Sequence, residues 1–528
     1  MLPILSLSRL ATLALGASAV VAQNVQQRQP NIVFILTDDQ DEQLGSLDYM
    51  PYVQKHFVQQ GTYYRKHFCT IAICCPSRVS LLTGQAAHNT NVTYVTPPHG
   101  GYPKFVSQGY NDKYLPVWLQ DAGYNTYYTG KLFNSHSTEN WNNPFPKGWT
   151  GSDFLLDPNT YLYLNATFQR NQSPPQTFPG DYSNDLVAER ALGFLDDALK
   201  FNGSKPFFLG VAPIGPHNNG LGGETSAGAT PPIPAKRHEN LFSNVTVPRT
   251  YNFNPDKLNA TEISYGDNYY RRRLQTLQSV DEMVDAVIKR LDQAGVLDNT
   301  YVIFTSDNGF HIGQHRLKPG KTCAIEEDIN VPFLIRGPGV PKGKNVDFDF
   351  DGSPIPFSED GIQKAQGDPK HDHVNVEFWG TQRGYDAFGG ASANNTYKAM
   401  RVLGDGYSLF YSVWCSNERE FYDMKKDPGQ MTNLAGSASG QLLDRPLSVV
   451  QDRLDALLLV LKSCKAETCR LPWKHIHPEG GVENLRDALD VKYDEFYAGQ
   501  PKISFSDCKD FYDIASEGAQ DTLVYYDP

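Results

Sequence analysis

"NIVFILTDD" (Asn31–Asp39) decides the fold. It is a continuous apolar run that ends in two acids. A strand with one wet face alternates apolar and polar residues. This one does not, so it reads as a strand buried on both faces, as parallel strands are. The pattern returns in "YNTYYTGK" (Tyr124–Lys131), "PFFLGVAPIGPH" (Pro206–His217), "YVIFTSDNG" (Tyr301–Gly309) and "VPFLIRGPG" (Val331–Gly339). Each run gives way to Gly, Pro or polar residues at its C-terminal end. Helical patterns precede some of them. "SNDLVAERALGFLDDALK" comes before Phe207. "SVDEMVDAVIKRLDQAG" opens with Ser279 and Glu282 at capping-box spacing, puts Val280, Val284, Val287 and Leu291 on one face, and stops at Gly295. Alternating helix and strand predicts an α/β, doubly wound fold: a large, mostly parallel sheet flanked by helices on both faces.

The texture changes after Val340, first to a polar, loop-like stretch. "TYKAMRVLGDGYSLFYSVWC" and "REFYDMKKDP" then alternate as antiparallel strands do, and Arg445–Cys464 reads as an amphipathic helix. The expected organisation is a signal peptide over 1–22, a catalytic α/β domain over 23–370, and a smaller C-terminal α+β subdomain with an antiparallel sheet over 371–528.

The 528 residues allow a large core, and a net charge of −12 argues against nucleic acid as the main partner. Arg9 followed by "LATLALGASAVVA" has the form of a secretory signal, and no later stretch is long and apolar enough for a membrane anchor. Asn-x-Ser/Thr sequons at Asn91, Asn165, Asn171, Asn202, Asn244, Asn259 and Asn394 agree with an extracellular destination. The eight cysteines are Cys69, Cys74, Cys75, Cys323, Cys415, Cys464, Cys469 and Cys508. Cys464 and Cys469 make the best local disulfide. The neighbours Cys74 and Cys75 do not both fit well-shaped bridges, so one of them needs another job, and Cys69 is expected in a disulfide with a partner not specified.

Ligands of an open α/β sheet sit beyond the carboxyl ends of its strands. Asp38 and Asp39 follow the first strand, and Asp307 and Asn308 follow "YVIFTS". Acids could cap a helix, and Asp-Asn-Gly could form a turn. Their joint place at strand ends favours a metal instead. Hard oxygen donors with no His or Cys suit Ca²⁺ or Mg²⁺ rather than Zn²⁺. In "CCPSRVSLLTG" (Cys74–Gly84), Pro76 suits a helix start and Gly84 a stop. That places Cys74 and Cys75 at a helix N-terminus, where free N–H groups and Arg78 favour an anion. A buried structural cysteine pair is the other reading of the same residues.

"CCPSRVSLLTG" resembles the signature of the type I sulfatases, Cys-x-Pro-Ser-Arg followed by a spacer and Thr-Gly. Its companions come in order: "TDD" at Thr37–Asp39, "TGK" at Lys131, "GPH" at His217, "SDNG" at Asp307, a lysine at Lys321 before "IEEDINVP", and "EFYDMKKDPGQMTNL". The likeness covers nearly the whole mature chain and is nearest in texture to secreted arylsulfatases and N-acetylglucosamine-6-sulfatase-like members. It implies that formylglycine-generating machinery converts Cys74 during secretion. One hydroxyl of the aldehyde hydrate would attack sulfur and release the alcohol or phenol. The other would then be deprotonated and expel sulfate. It further implies that Asp38, Asp39, Asp307, Asn308 and modified Cys74 hold one Ca²⁺, and that Arg78 holds the hydrate. Lys131 and Lys321 would clamp the sulfate, and His217 would serve the leaving oxygen. The sequence departs at Phe133, where many members have histidine, so Asn134 or His136 would take that role. His311 and His315 either line the substrate pocket or order their loop.

The expected function is a secreted sulfuric ester hydrolase acting on small sulfate esters, aryl sulfates first. The alternatives are a phosphomonoester or phosphonate hydrolase of the same superfamily, or a non-catalytic secreted binding protein on this fold. Oligomeric state is not legible.

Overall fold

The computed structural model describes residues 29–200, 205–221, 229–255, 258–347, 355–366, 372–383, 391–437 and 439–526. The expected signal segment 1–22 and the Asn202 sequon lie outside them.

Ten strands form the main sheet: β1 Asn31–Thr37, β2 Thr62–Tyr64, β3 Asn125–Lys131, β4 Gly151–Leu155, β5 Asn165–Arg170, β6 Gln176–Pro179, β7 Phe207–Ala212, β8 Thr300–Ser306, β9 Phe333–Arg336 and β10 Lys344–Val346. Their order is β10-β2-β9-β8-β1-β7-β3-β4-β5-β6. The block β8-β1-β7-β3-β4 is parallel throughout. Towards the edges the sheet turns mixed. β5 and β6 pair antiparallel, and so does β9 with both β8 and β2. β9 lies in the Val331–Gly339 run, which the sequence presents as one more parallel strand. The chain between β8 and β9 contains only the short helix Glu326–Ile329. Without a crossover helix it returns beside β8 in the opposite direction.

Alternation along β1 sends Val33 and Ile35 to one face and Phe34 and Leu36 to the other. Val33 and Ile35 meet the helices Ser183–Leu199 and Ala260–Gln293 through Val187, Phe194, Val280 and Val284. Each such side chain contributes roughly 1.5–3 kcal/mol when fully buried. The helix of "SVDEMVDAV" starts a good deal earlier than Ser279. It runs from Ala260, and its reciprocal capping box is Asn259 with Glu262. The Ser279 hydroxyl bonds back to the Thr276 carbonyl inside the helix at 2.8 Å. Tyr269, Tyr270, Leu274 and Leu277 carry the buried face upstream of it.

A second, four-stranded antiparallel sheet comprises His373–Phe378, Tyr397–Gly404, Tyr407–Trp414 and Arg419–Asp423. One face packs on the helix Leu447–Leu461 through Leu454, Leu457 and Leu458. The other face, with Val374, Val376, Ala399 and Phe410, shares a core with Leu36 of β1 and with Val79 and Leu82 of the helix Cys74–Thr83. The helix that begins at Cys74 therefore lies in one apolar core with both sheets.

Cys464 and Cys469 are bridged, as their spacing suggests, and Cys415 is bridged to Cys508. Cys69 is not in a disulfide, contrary to expectation. It is a buried thiol whose Sγ donates to the Asp328 carbonyl at 3.6 Å, and burial pushes its pKa up, so it stays neutral and satisfied without a partner sulfur. Cys75 and Cys323 are buried thiols as well.

Candidate active site

The order β8-β1-β7-β3 lines up the carboxyl ends of four adjacent parallel strands. Asp307 and Asn308 follow β8, Asp38 and Asp39 follow β1, His217 follows β7 after a short turn, and Lys131 closes β3. Two glycines are required by this layout. A Cβ on Gly130, which precedes Lys131 at φ +103°, would come within 2.0 Å of the Ala212 carbonyl oxygen on the next strand. A Cβ on Gly309, after Asn308, would come within 2.0 Å of the Glu327 carbonyl oxygen.

Cys74 is the first residue of its helix, which ends on Gly84 in the left-handed conformation. Cys74 and Cys75 diverge. Cys75 points into the apolar core, where burial pushes its thiol up to about 12. The Cys74 Sγ instead lies 3.4 Å from Asp38 Oδ1 and 3.9 Å from Asp39 Oδ1, and it accepts from Lys321 Nζ at 2.7 Å. Lys321 Nζ also donates to Asp39 Oδ1 at 2.6 Å, and Lys131 Nζ donates to Asp38 Oδ2 at 2.7 Å. Arg78, one helical turn on from Cys74, donates through Nε to Asp307 Oδ2 at 2.7 Å and through a terminal nitrogen to the Lys131 carbonyl. His217 Nε2 stands 3.7 Å from Asp39 Oδ2.

Asp38, Asp39, Asp307, Arg78, Lys131 and Lys321 are all at most 1% exposed. Burying a charge costs several kcal/mol even after the protein relaxes, so apolar residues would serve stability better, and such a cluster marks function. Burial pushes the Asp38 carboxyl up, but Lys131, His217 and Arg78 together outweigh it and hold the pKa below the usual range. Burial pulls Lys131 down, and Asp38 and Cys74 more than reverse this, so the ammonium persists.

Two oxygens inside the cluster, Asp39 Oδ2 and Asn308 Oδ1, are buried without a hydrogen-bond partner. Donor atoms of Asp38, Asp39, Cys74 and His217 lie within 4.8 Å of one another. Unsatisfied carboxylate and amide oxygens beside two further acids fit a hard divalent cation.

A family model described as Sulfatase matches residues 30–350. The chain belongs to the sulfatase family. An arylsulfatase of Volvox carteri is 38% identical over 95% of this chain and 85% of its own length. N-acetylglucosamine-6-sulfatase of Capra hircus is 30% identical over 84% and 85%. Among solved structures, a protein in complex with its substrate D-glucosamine-2-N,6-O-disulfate shares the fold, with a TM-score of 0.58 at 20% identity over 78% of this chain and 94% of that one. This sulfatase is a sulfuric ester hydrolase.

Not every expected residue of the sulfatase reaches the cluster directly. Asn134 donates to the Tyr161 hydroxyl at 2.7 Å, one layer behind His217 and Lys131. His136 is wedged between Tyr102 and Phe154, ring centroids 4.5 and 5.4 Å away. Burial pulls its pKa down to about 3, against a smaller opposing effect of a backbone hydrogen bond at Trp141. His311 pairs through Nδ1 with Asp328 Oδ1 at 2.8 Å and exchanges backbone hydrogen bonds with Gly320, beside Lys321. His315 is held by its backbone to the Asn252 carbonyl, and burial pulls its pKa down to about 4.

Two supporting residues escape a sequence reading. Tyr161 stacks on His217 and lies under Lys131, but it comes from an irregular loop with no motif. Arg273 donates to the carbonyl of Asp39, which has φ +67°, and to Asp41 Oδ1 at 2.9 Å. A signal for Arg273 existed: it stands between Tyr269 and Leu277 at intervals of four on the apolar face of its helix.

Proposed function

We propose that this sulfatase is a secreted enzyme that hydrolyses small sulfate monoesters, aryl sulfates among them, to an alcohol or phenol and inorganic sulfate. It does so with a formylglycine made from Cys74 and with one Ca²⁺. The observation that carries the reading is Cys74 itself. It is the one cysteine at a helix N-terminus that faces three acids, two lysines and an arginine at the carboxyl ends of the parallel strands.

Asp38, Asp39, Asp307 and Asn308 would hold the ion, which when bound supplies Lewis-acid polarisation of a sulfate oxygen. The hydrated aldehyde supplies two hydroxyls on one carbon, so that sulfate can leave by carbonyl formation where a serine ester would be stable. Lys131 and Lys321 present ammoniums to the sulfate oxygens and offset the charge that develops there. His217 holds a proton for the departing oxygen through Nε2, while its Nδ1 is tied to the Asn218 carbonyl at 3.0 Å. Arg78 orients Asp307 through its hydrogen bond. Water adds across the S–O bond in sum: the ester oxygen gains a proton and sulfur gains the hydroxyl.

Secretion is supported by two disulfides and by exposed sequon asparagines at Asn91, Asn171, Asn244, Asn259 and Asn394. No helix among the described residues is long and apolar enough to cross a membrane.

Mass spectrometry of the peptide Lys66–Arg78, "KHFCTIAICCPSR", is the direct test. Residue 74 is expected as the aldehyde or its hydrate, and an unmodified thiol throughout active material would sink the mechanism. An aryl sulfate assayed beside the matching aryl phosphate tests the substrate class. Faster phosphate hydrolysis would overturn it.

A further inference from the structure

Lys321 reaches Cys74 and Asp39 from a loop, not from a strand. Its neighbour Thr322 holds φ +81°. A β-branched residue rarely occupies that region, and the conformation survives only when its surroundings impose it. Rotation about this φ swings Lys321 against the segment that follows.

The surroundings that impose it belong to the C-terminal sheet and the loops that flank its strands. The Thr322 carbonyl accepts from Asn395 Nδ2 at 2.9 Å and from the Tyr397 hydroxyl at 3.2 Å. Asn395 Nδ2 also reaches Thr322 Oγ1 at 3.2 Å. Further along the same segment, Gln430 donates to the Ala324 carbonyl at 3.1 Å and accepts from the Glu326 amide at 3.0 Å. Arg401 forms a buried ion pair with Glu326 at 2.6 Å. Asn395, Tyr397, Arg401 and Gln430 are all buried. From the catalytic side, Asp328 accepts from the Cys323 amide at 2.8 Å. The turn after Lys321 is thus gripped from two sides, and the donors on its strained residue come from a strand of the second sheet, Tyr397, and from the loop that leads into it, Asn395.

We propose that the C-terminal antiparallel sheet is a clamp for Lys321, with Asn395 and Tyr397 as positioning residues that hold Thr322 in its left-handed turn. The sheet then acts in the reaction without touching substrate. This inference rests on the role given to Lys321 above. A loop-borne ammonium misplaced by an ångström loses its contact with the sulfate, whereas one held by a buried sheet keeps it.

The test is a mutant cycle on the full-length enzyme with an aryl sulfate. Tyr397→Phe removes one hydroxyl and is the variant least exposed to misfolding; Asn395→Ala removes the amide. Each is expected to lower kcat several-fold, and the pair about tenfold, with KM changed far less. Two backgrounds separate a clamp from a merely structural role. In Lys321→Ala the two variants should add no further loss. In Thr322→Gly, where a positive φ carries no Cβ penalty, their effect should shrink. Full additivity of Tyr397→Phe with Lys321→Ala would overturn the clamp and leave the sulfatase mechanism intact. A Lys321→Ala enzyme as active as the wild type would overturn the role of Lys321, and the clamp with it.

Discussion

The ring of Tyr161 stacks on the imidazole of His217, with centroids 4.1 Å apart and planes 23° from parallel. The same ring carries Lys131 Nζ at 4.7 Å from its centroid. One side chain therefore packs against both His217 and Lys131.

Tyr161→Phe keeps the ring and removes the hydroxyl that accepts from Asn134, so activity is expected to fall by only about threefold. Tyr161→Ala removes the stacking and the cation–π contact together and is expected to lower kcat/KM by on the order of 100-fold. Steady-state kinetics of the two variants decide it. Equal losses would show that the ring face is unimportant.

Lys131 is fully buried, with its Nζ 2.7 Å from Asp38 Oδ2 and 4.7 Å from the centroid of the Tyr161 ring. Lys131→Ala is expected to lower kcat by roughly 100-fold or more, the scale for losing a preorganised charge. Lys131→Arg should fail to restore it, because a planar guanidinium does not replace a point charge in that space. An arginine variant close to wild type would count against the tight geometry described for Lys131.

Calcium should matter to stability as well as to rate. Asp39 Oδ2 and Asn308 Oδ1 are buried without a hydrogen-bond partner, and a bound ion would satisfy both. A chelator is expected to lower both activity and the melting temperature, and added Ca²⁺ to restore them. At a free ion concentration of 100 Kd the stabilisation is about 2.7 kcal/mol. Asn308→Ala should weaken the response to Ca²⁺ in calorimetry, before any assay of turnover. An unchanged melting curve with chelator would contradict a resident ion.

Acid stability has a separate origin. Glu377, fully buried, pairs with His88 Nδ1 and Lys398 Nζ, each at 2.8 Å. Burial raises its pKa, but His88 and Lys398 outweigh this and bring it from an ordinary 4.5 to about 2. A depressed carboxyl contributes stability above its unfolded pKa and loses it as pH falls towards the folded value. The window is thus from about pH 4.5 down to about 2, and the contribution at neutral pH is on the order of 3 kcal/mol. Glu377→Gln should unfold more readily than wild type at pH 7. The gap should close as pH falls through that window in denaturant titrations, and a gap that stays constant would rule the linkage out.

Much of the fold was legible because the central strands are buried on both faces and so read as unbroken apolar runs. The edges were less so. β9 looks identical in composition to a parallel strand, and its direction depends on the missing crossover helix, which only the length and content of the Asp307–Pro332 segment could suggest. The start of the long helix was misplaced because Ser279 and Glu282 imitate a cap inside a helix, while the true cap at Asn259 has the same chemistry. Site residues on strand ends and motifs could be picked out, since their spacing is local. Tyr161 and Asn395 could not, because each meets its partner through the fold alone.

Cys74 and Arg78 are hidden from solvent once the strands have paired. An enzyme that converts Cys74 must grip several residues around it, and in the finished protein that segment lies in one apolar core with both sheets. If Cys74 is converted, conversion would have to come while the segment is still open, which would make the maturation of the site a race against its own folding.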